Sequence, residues 1–268
     1  MTQRGMFLML PLLLFFLFPE TIHASIAPTF TPSRTTGVAP LAVFFDAAST
    51  TGSITTRPFH ELDYVWDFND PTAGNWTYGV SSSSKNIAYG PEAAHVFETP
   101  GTYTVTMTVR DGTDTTSTTT SITVTDPDTV FSGTNTICFS TSGTFTDCPS
   151  GAVQVATSSF DGAVISSLAS NKRLLFKGGE TWNHTTYVNT GTFSDIYIGT
   201  FGDGKAIINK NPTSALFEIS DVLGTRWQFI DLDIRATTTD VDVSFRMRGG
   251  INGTEFLILR VDAFQTQM

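Results

Sequence analysis

Hydrophobic and polar residues alternate strictly along residues 102–110. The odd positions hold Tyr, Val, Met and Val, and the even positions between them hold Thr. Side chains that alternate with a period of two point to opposite faces of a β-strand, so one face is expected to be buried and the other wet. Pro100-Gly101 precedes this stretch and forms a turn signal, because Pro presets φ and Gly accepts a positive φ. The pattern therefore predicts an antiparallel strand that starts after a tight turn.

Four further stretches of the first half show similar strand patterns. In residues 62–68, every second side chain is large and apolar, and these side chains should meet those of the strand at 102–110 in one core. The predicted strands are Leu41–Phe45, Leu62–Phe68, Ala93–Phe97, Thr102–Arg110 and Thr118–Val124. Short strands separated by turn residues are typical of an antiparallel β-sandwich.

Three motifs in this half occur in order and at suitable spacing. They are Gly-Val-Ala-Pro-Leu-Ala-Val-Phe-Phe at 37–45, Tyr-Val-Trp-Asp-Phe-Asn-Asp at 64–70, and His-Val-Phe-Glu-Thr-Pro-Gly-Thr-Tyr-Thr-Val at 95–105. Together they closely resemble the polycystic-kidney-disease (PKD) domain family, and the resemblance covers about residues 28–125. It implies an immunoglobulin-like sandwich in an extracellular interaction or spacer module. The chain departs from the family at Asn69, where Gly is usual, but Asn tolerates the left-handed conformation that the turn requires.

The second half is also β-rich but has no helical apolar period of useful length. Gly, Asp and Asn turns separate its short strand patterns. The predicted strands are Arg173–Phe176, Asp195–Ile198, Ala206–Ile208, Leu216–Ile219, Trp227–Ile234, Val241–Phe245 and Phe256–Ala263. The whole chain is therefore predicted to be all-β.

Residues 225–234 align with residues 254–263 at an offset of 29 positions. β-rich units that recur at such a period are typical of a solenoid. The stretches at 174–182 and 196–204 resemble the opening coils of right-handed parallel β-helix proteins of the pectate-lyase-like superfamily. This resemblance implies an incomplete β-helix over 150–268. Because no capping segment follows Phe264, we expect the chain to be a fragment of a longer protein.

The chain begins with Arg4, an apolar run at 6–18 and Ala24 before Ser25, as a secretory signal peptide does. An uncleaved signal anchor is the alternative. The predicted organisation is a signal peptide at 1–24, an extended lead-in at 25–36, a PKD-like sandwich at 37–125, a linker with a Cys pair at 126–149, and the incomplete β-helix at 150–268. With no second apolar run, we expect no membrane span after signal removal and a secreted, cell-surface or periplasmic location.

The two cysteines, Cys138 and Cys148, enclose a short loop rich in Ser, Thr and Gly. An even cysteine count in an exported chain favours a disulfide, and two free thiols are the alternative. The net charge of −10 argues against a nucleic-acid partner, because such a partner requires a basic surface.

Candidate ligand-binding residues fall into two groups. Trp76 and Tyr78 lie in a polar loop, where aromatic rings either stack on sugars or partners or fold back onto the sandwich. On the aligned strands, Asp231 and Asp233 of one coil should lie over Arg260 and Asp262 of the next, at roughly 4.8 Å. This ladder is either a solvated face with an Asp–Arg pair or, as the pectate-lyase-like resemblance implies, a site that binds calcium or acts on a polysaccharide.

No catalytic or metal-binding set is predicted, and calcium held by Asp67, Asp70 and loop carbonyls is a weaker alternative to a turn-anchoring role for Asp67. The first functional hypothesis is an exported protein whose PKD-like module binds carbohydrate or a cell-surface protein, or acts as a spacer, next to a β-helix. The alternative is the N-terminal part of a secreted polysaccharide lyase or glycoside hydrolase whose active site lies in coils absent from this chain. For the chain as given, we expect no enzymatic activity.

Overall fold

A computed structural model describes residues 25–77, 83–112, 114–189, 191–211, 215–220, 226–236, 244–248 and 255–265. The first half forms two packed sheets, joined in part by the short helix α1 at Pro58–Glu61. The first sheet has the order β1-β3-β6, with β1 at Thr31–Pro32, β3 at Leu41–Asp46 and β6 at Glu92–Phe97. The second has the order β2-β8-β7-β4-β5, with β2 at Thr36–Val38, β4 at Asp63–Asp67, β5 at Ile87–Tyr89, β7 at Gly101–Asp111 and β8 at Asp114–Thr125.

The inward faces of these two sheets form the sandwich core that the alternating pattern predicts. Trp66 is fully buried, packs 5.6 Å from the ring of Phe45, and donates from Nε1 to the carbonyl of Gly90 at 2.7 Å. The prediction that Trp66 is a core residue is therefore confirmed. Asn69 has a φ of +52°, so the left-handed turn expected at this departure from the PKD pattern is confirmed as well.

The second half consists mainly of parallel strands in three sheets. A six-stranded sheet has the order β10-β9-β11-β14-β17-β20, a four-stranded sheet has the order β12-β15-β18-β21, and a three-stranded sheet has the order β13-β16-β19. The strand bounds are β9 Thr136–Ser140, β10 Val153–Ala156, β11 Lys172–Lys177, β12 Thr181–Asn183, β13 Val188–Asn189, β14 Ile196–Phe201, β15 Ala206–Lys210, β16 Phe217–Ser220, β17 Trp227–Ile230, β18 Leu232–Ala236, β19 Phe245–Arg248, β20 Phe256–Leu259 and β21 Asp262–Gln265.

From β11 onward, successive strands enter the six-, four- and three-stranded sheets in turn. The same order repeats from β14 and from β17, and β20 and β21 begin it once more. The interior between the sheets is filled by large rings such as Phe176, Trp182, Phe217 and Phe229, all fully buried. β17 pairs with β20, and β18 with β21, at the offset of 29 residues that the internal alignment predicts.

Two segments that were each predicted to form one continuous strand form two shorter strands instead. Trp227–Ile234 is divided at Asp231, which has a φ of +58°, and Phe256–Ala263 is divided at Arg260, which has a φ of +52°. A left-handed residue turns the chain sharply, so each half enters a different sheet. The predicted strand Val241–Phe245 lies partly outside the described residues, and the observed strand there is β19.

Regular structure also occurs where it was not expected. The predicted linker at 126–149 contains a short helix α2 at Pro127–Val130, a 3-10 turn at Gly133–Asn135, and β9, which pairs with β11. Helix α3 at Phe160–Ser167 lies against β11, β12 and β13 and buries Phe160 and Val164. Its N-cap is Ser159, whose side chain accepts from the Gly162 N–H, and with only eight residues it carries little helical periodicity.

Candidate functional site

The predicted ladder starts with a close pair between Asp231 and Arg260. Nε and Nη2 of Arg260 donate to the two carboxylate oxygens of Asp231 at 2.6 and 2.8 Å. Both residues have a positive φ and follow directly after the paired strands β17 and β20. The hydrogen bonds that Arg260 donates to Asp231 raise the pKa of Arg260, and burial opposes them. The stacking expected from the alignment thus brings these two side chains together.

Asp233 and Asp262 lie directly opposite each other on β18 and β21, as the alignment predicts. Like charges at this spacing repel each other unless a cation intervenes. The structure supplies two cations that sequence reasoning missed: Arg235 pairs with Asp233 at 2.6 Å, and Lys205 pairs with Asp262 at 2.7 Å. Arg235 is two residues from its partner and could have been found. Lys205 comes from a turn two coils away, and its partner depends on the fold.

Each of the ladder carboxylates is therefore held in an ion pair. A general base needs a carboxylate oxygen that is free to take a proton from a substrate or water. Within the described residues, the one buried ladder oxygen without a hydrogen-bond partner is Oδ1 of Asp233. This oxygen is closed off from solvent, and the pairs Asp231–Arg260 and Lys205–Asp262 join segments of different strands.

A row of outward side chains crosses the four-stranded sheet beside the ladder. Register pairs Asn183 with Asn209, Asn209 with Arg235, and Arg235 with Phe264. On the first three strands of the sheet, the preceding residues are buried, so these side chains point outward. Phe264 is 58 % exposed. The row presents two amides, a guanidinium and an aromatic ring on one open face. Sequence reasoning missed its asparagines and Phe264, because strand alternation alone does not give the register of four strands.

The sandwich is fixed to the outer face of the six-stranded sheet by two ion pairs of opposite polarity. Arg34 of the sandwich side pairs with Glu255, just before β20, at 2.8 Å, and Glu98 pairs with Arg260, just after β20. On the neighbouring strand, Nε2 of Gln228 donates to the Pro40 carbonyl at 2.9 Å. These directional contacts leave the outer face of the four-stranded sheet uncovered by the described residues of the sandwich.

The predicted disulfide between Cys138 and Cys148 is confirmed, with a Cα–Cα distance of 6.2 Å. Glu180 holds the loop within this bridge, because its carboxylate accepts hydrogen bonds from the hydroxyl of Ser140 and from the backbone N–H of Thr141. Burial of Glu180 opposes ionisation, but these and further hydrogen bonds from the loop lower the pKa of its carboxyl. The loop covers part of the outer face of the six-stranded sheet, where burial raises the pKa of Tyr197 to about 12.

Of the two aromatic candidates in the sandwich, Trp76 lies within the described residues. Trp76 is 53 % exposed, and Nζ of Lys85 lies 5.5 Å from the centre of its ring. Its backbone N–H donates to the Ser83 carbonyl, which places the ring on a short hairpin. Tyr78 lies outside the described residues. Trp76 thus offers an accessible ring, as sugar stacking requires.

The carboxylates considered for calcium take part in hydrogen bonds within the sandwich. Asp67 accepts from the N–H of Asn69 and the side-chain amide of Asn86, both at 2.8 Å, which is the turn-anchoring role expected for it. Asp70 is buried and lies 2.9 Å from Nε2 of His95. Burial raises the pKa of Asp70, but hydrogen bonds from His95 and Thr72 outweigh this effect and lower it overall. In the described part of the chain, no group of three or more His, Cys, Asp or Glu side chains is placed to hold a metal ion.

Comparison with protein families identifies the first half. Residues 39–125 match the family model of the PKD domain, in agreement with the motif resemblance. A PKD domain indicates an extracellular interaction module. A search of curated proteins found no match. None of the helices in the described residues is long and apolar enough to cross a membrane.

Proposed function

We propose that this chain is an exported interaction protein that binds a polysaccharide on the outer face of its four-stranded sheet. In this proposal, the three parallel sheets are the faces of a right-handed parallel β-helix, each coil adds one strand to every face, and the PKD sandwich is a module fixed to the side of this β-helix. The observation that carries the proposal is the exposed row of Asn183, Asn209, Arg235 and Phe264, which lie in register on four successive strands.

The chemistry of this row fits a carbohydrate polymer. Side-chain amides and a guanidinium donate hydrogen bonds to sugar hydroxyls, and the amide oxygens accept them. An exposed aromatic ring packs against the apolar C–H face of a sugar. Neighbouring strands are about 4.8 Å apart, so the row spans roughly 14 Å across four strands and suits an extended chain better than a single small molecule.

The positions of the ion pairs support binding rather than cleavage. Polysaccharide cleavage requires an acid and a base, or a metal ion with a base, on either side of the scissile bond. The carboxylates nearest the row, Asp233 and Asp262, are engaged by Arg235 and Lys205. The sandwich is held by ion pairs just before and just after β20. Its surface therefore keeps a fixed position relative to the parallel sheets, as expected for a protein with several contact sites.

Co-sedimentation of the purified chain with insoluble cellulose, chitin and xylan tests the proposal. We expect the chain to bind at least one of them, and the triple variant Asn183→Ala, Asn209→Ala, Phe264→Ala to bind about tenfold more weakly or worse. The matched control is Phe44→Ala with Tyr89→Ala, which removes two exposed rings from the sandwich. Binding that survives the triple variant but is lost on Trp76→Ala would assign the site to the sandwich hairpin and reject the sheet face.

A further inference from the structure

A groove of about 280 Å³ lies where the sandwich meets the six-stranded sheet. One wall comes from the sandwich side and includes Arg34, Val38 and Ala42. The other comes from the starts of β14, β17 and β20, including Arg226 and Glu255. Ligand sites are often found between domains, and this volume is near the lower end of the range of about 300–1,000 Å³ for small-molecule pockets.

The charged side chains of the groove cancel in pairs. Arg34 pairs with Glu255 at 2.8 Å, and Arg226 pairs with Asp195 through two hydrogen bonds, of which Nη2–Oδ2 is 2.8 Å long. The hydrogen bonds that Arg226 donates to Asp195 raise the pKa of Arg226, and the charge of Glu255 acts in the same direction. Across both walls, two guanidiniums and two carboxylates leave the groove without net charge. Burying an ionic group costs free energy unless it meets an opposite charge, and the charges here already pair with each other, so the groove favours an uncharged ligand.

The hydrogen-bonding groups and the apolar side chains of the groove indicate the class of uncharged ligand. Paired guanidiniums and carboxylates offer both donors and acceptors, which match a molecule carrying several neighbouring hydroxyls. Val38, Leu41 and Leu257 add apolar surface between the polar groups. Sugars combine hydroxyl edges with apolar C–H faces in this way.

We propose that this groove binds a small uncharged saccharide unit between the sandwich and the six-stranded sheet. The site is separate from the row on the four-stranded sheet, and it uses none of the residues of that row. The polar groups orient the ligand, and the volume limits it to about one or two sugar rings. Occupation of the groove would also add contacts that hold the sandwich against the coils.

Isothermal titration calorimetry and NMR titration of the full chain test this proposal. The probes are uncharged sugars, namely glucose, xylose, N-acetylglucosamine and their β-1,4-linked disaccharides, and two charged sugars, galacturonate and glucosamine. We expect saturable binding of at least one uncharged probe and weaker or no binding of the charged ones. Arg34→Gln should weaken binding by about tenfold, the effect of losing one charged hydrogen bond. Ala42→Phe, which fills the groove, should abolish binding.

The control is Glu98→Gln, because it removes a comparable ion pair between the sandwich and the sheet but lies outside the groove. It should leave sugar affinity within about twofold of the original. The proposal is overturned if no uncharged sugar binds saturably, or if galacturonate binds as tightly. It is also overturned if Glu98→Gln weakens binding as much as Arg34→Gln, since domain docking would then explain the effect. Binding to insoluble polysaccharide through the four-stranded sheet is measured separately, by co-sedimentation of the Asn183, Asn209 and Phe264 triple variant. Its outcome does not depend on these titrations.

Discussion

Arg260 donates two hydrogen bonds to Asp231, which lies 29 positions earlier in the chain. Its Nη1 donates to Glu98 of the sandwich, 162 positions earlier. One guanidinium thus joins the segments that follow β17 and β20 to the PKD module. Because Arg has a planar fork of donors, it can serve both carboxylates at once, which a Lys side chain could not do with the same geometry. This contact makes the pairing of β20 with β17 and the docking of the sandwich depend on each other.

Replacing Arg260 should therefore cost more than removing an ordinary surface ion pair. Since its side chain is 42 % exposed, solvent screening limits the expected loss for Arg260→Gln to about 1 kcal/mol of unfolding free energy. Arg235→Gln, which breaks a partly exposed pair within one strand, should cost less. Urea unfolding measures both. A double-mutant cycle of Arg260→Gln with Glu98→Gln should show coupling, and strictly additive losses would contradict the shared role.

The two sandwich tryptophans should differ strongly in their effect on stability. Trp66 is fully buried, so Trp66→Ala leaves a large cavity and should lower the unfolding free energy by roughly 3–5 kcal/mol. Trp76 is half exposed, and Trp76→Ala should change it by less than about 1 kcal/mol. Chemical denaturation of both variants makes the comparison. Equal losses would mean that the ring of Trp76 carries core packing.

The Cys138–Cys148 bridge should contribute measurably to the stability of the second half. Closing a loop of this length restricts the unfolded chain, which corresponds to about 2–4 kcal/mol. The double variant Cys138→Ala, Cys148→Ala should lose about this amount, measured by thermal and urea unfolding. Mass spectrometry of the unreduced exported protein gives the control, and two free thiols there would contradict the assignment.

Stability should fall in mild acid because of His184. Its ring is buried, and Nδ1 accepts a hydrogen bond from the N–H of Asn211 at 3.2 Å, so a proton on Nδ1 would face a donor. Burial lowers the pKa of His184; the charge of Asp161 opposes this, and that of Lys210 adds to it. An unfolded His titrates near 6.5, so below about pH 6.5 the unfolded chain takes up a proton that the native chain does not.

The unfolding free energy should accordingly be highest above pH 6.5 and decrease as the pH falls from there. Urea unfolding between pH 7.5 and 5 measures this slope. His184→Asn should flatten the slope even if it lowers stability overall. Burial also lowers the pKa of His95, but His95 is present in both proteins, so its contribution cancels in the comparison. An unchanged slope in the variant would show that His184 is not the titrating group.

Local sequence signals account for much of the fold and for part of the candidate site. Alternation located the sandwich strands, and the 29-residue repeat set the stacking of Asp231 on Arg260. The corners at these two residues were missed because a positive φ at a non-Gly residue leaves no mark in the hydrophobic pattern. The row from Asn183 to Phe264 depends on the register of four strands, and sandwich docking depends on pairs far apart in sequence. Neither follows from a local pattern.

The most direct test of the proposed function measures binding and cleavage in the same samples. The purified chain is incubated with pectin, alginate, xylan, cellulose and chitin, with and without calcium, and both bound protein and newly formed sugar ends are quantified. We expect binding to at least one polysaccharide, loss of that binding in the Asn183, Asn209 and Phe264 triple variant, and no cleavage of any substrate. Cleavage that disappears on Asp233→Asn or Asp262→Asn would contradict this account and make the aspartate ladder an active site.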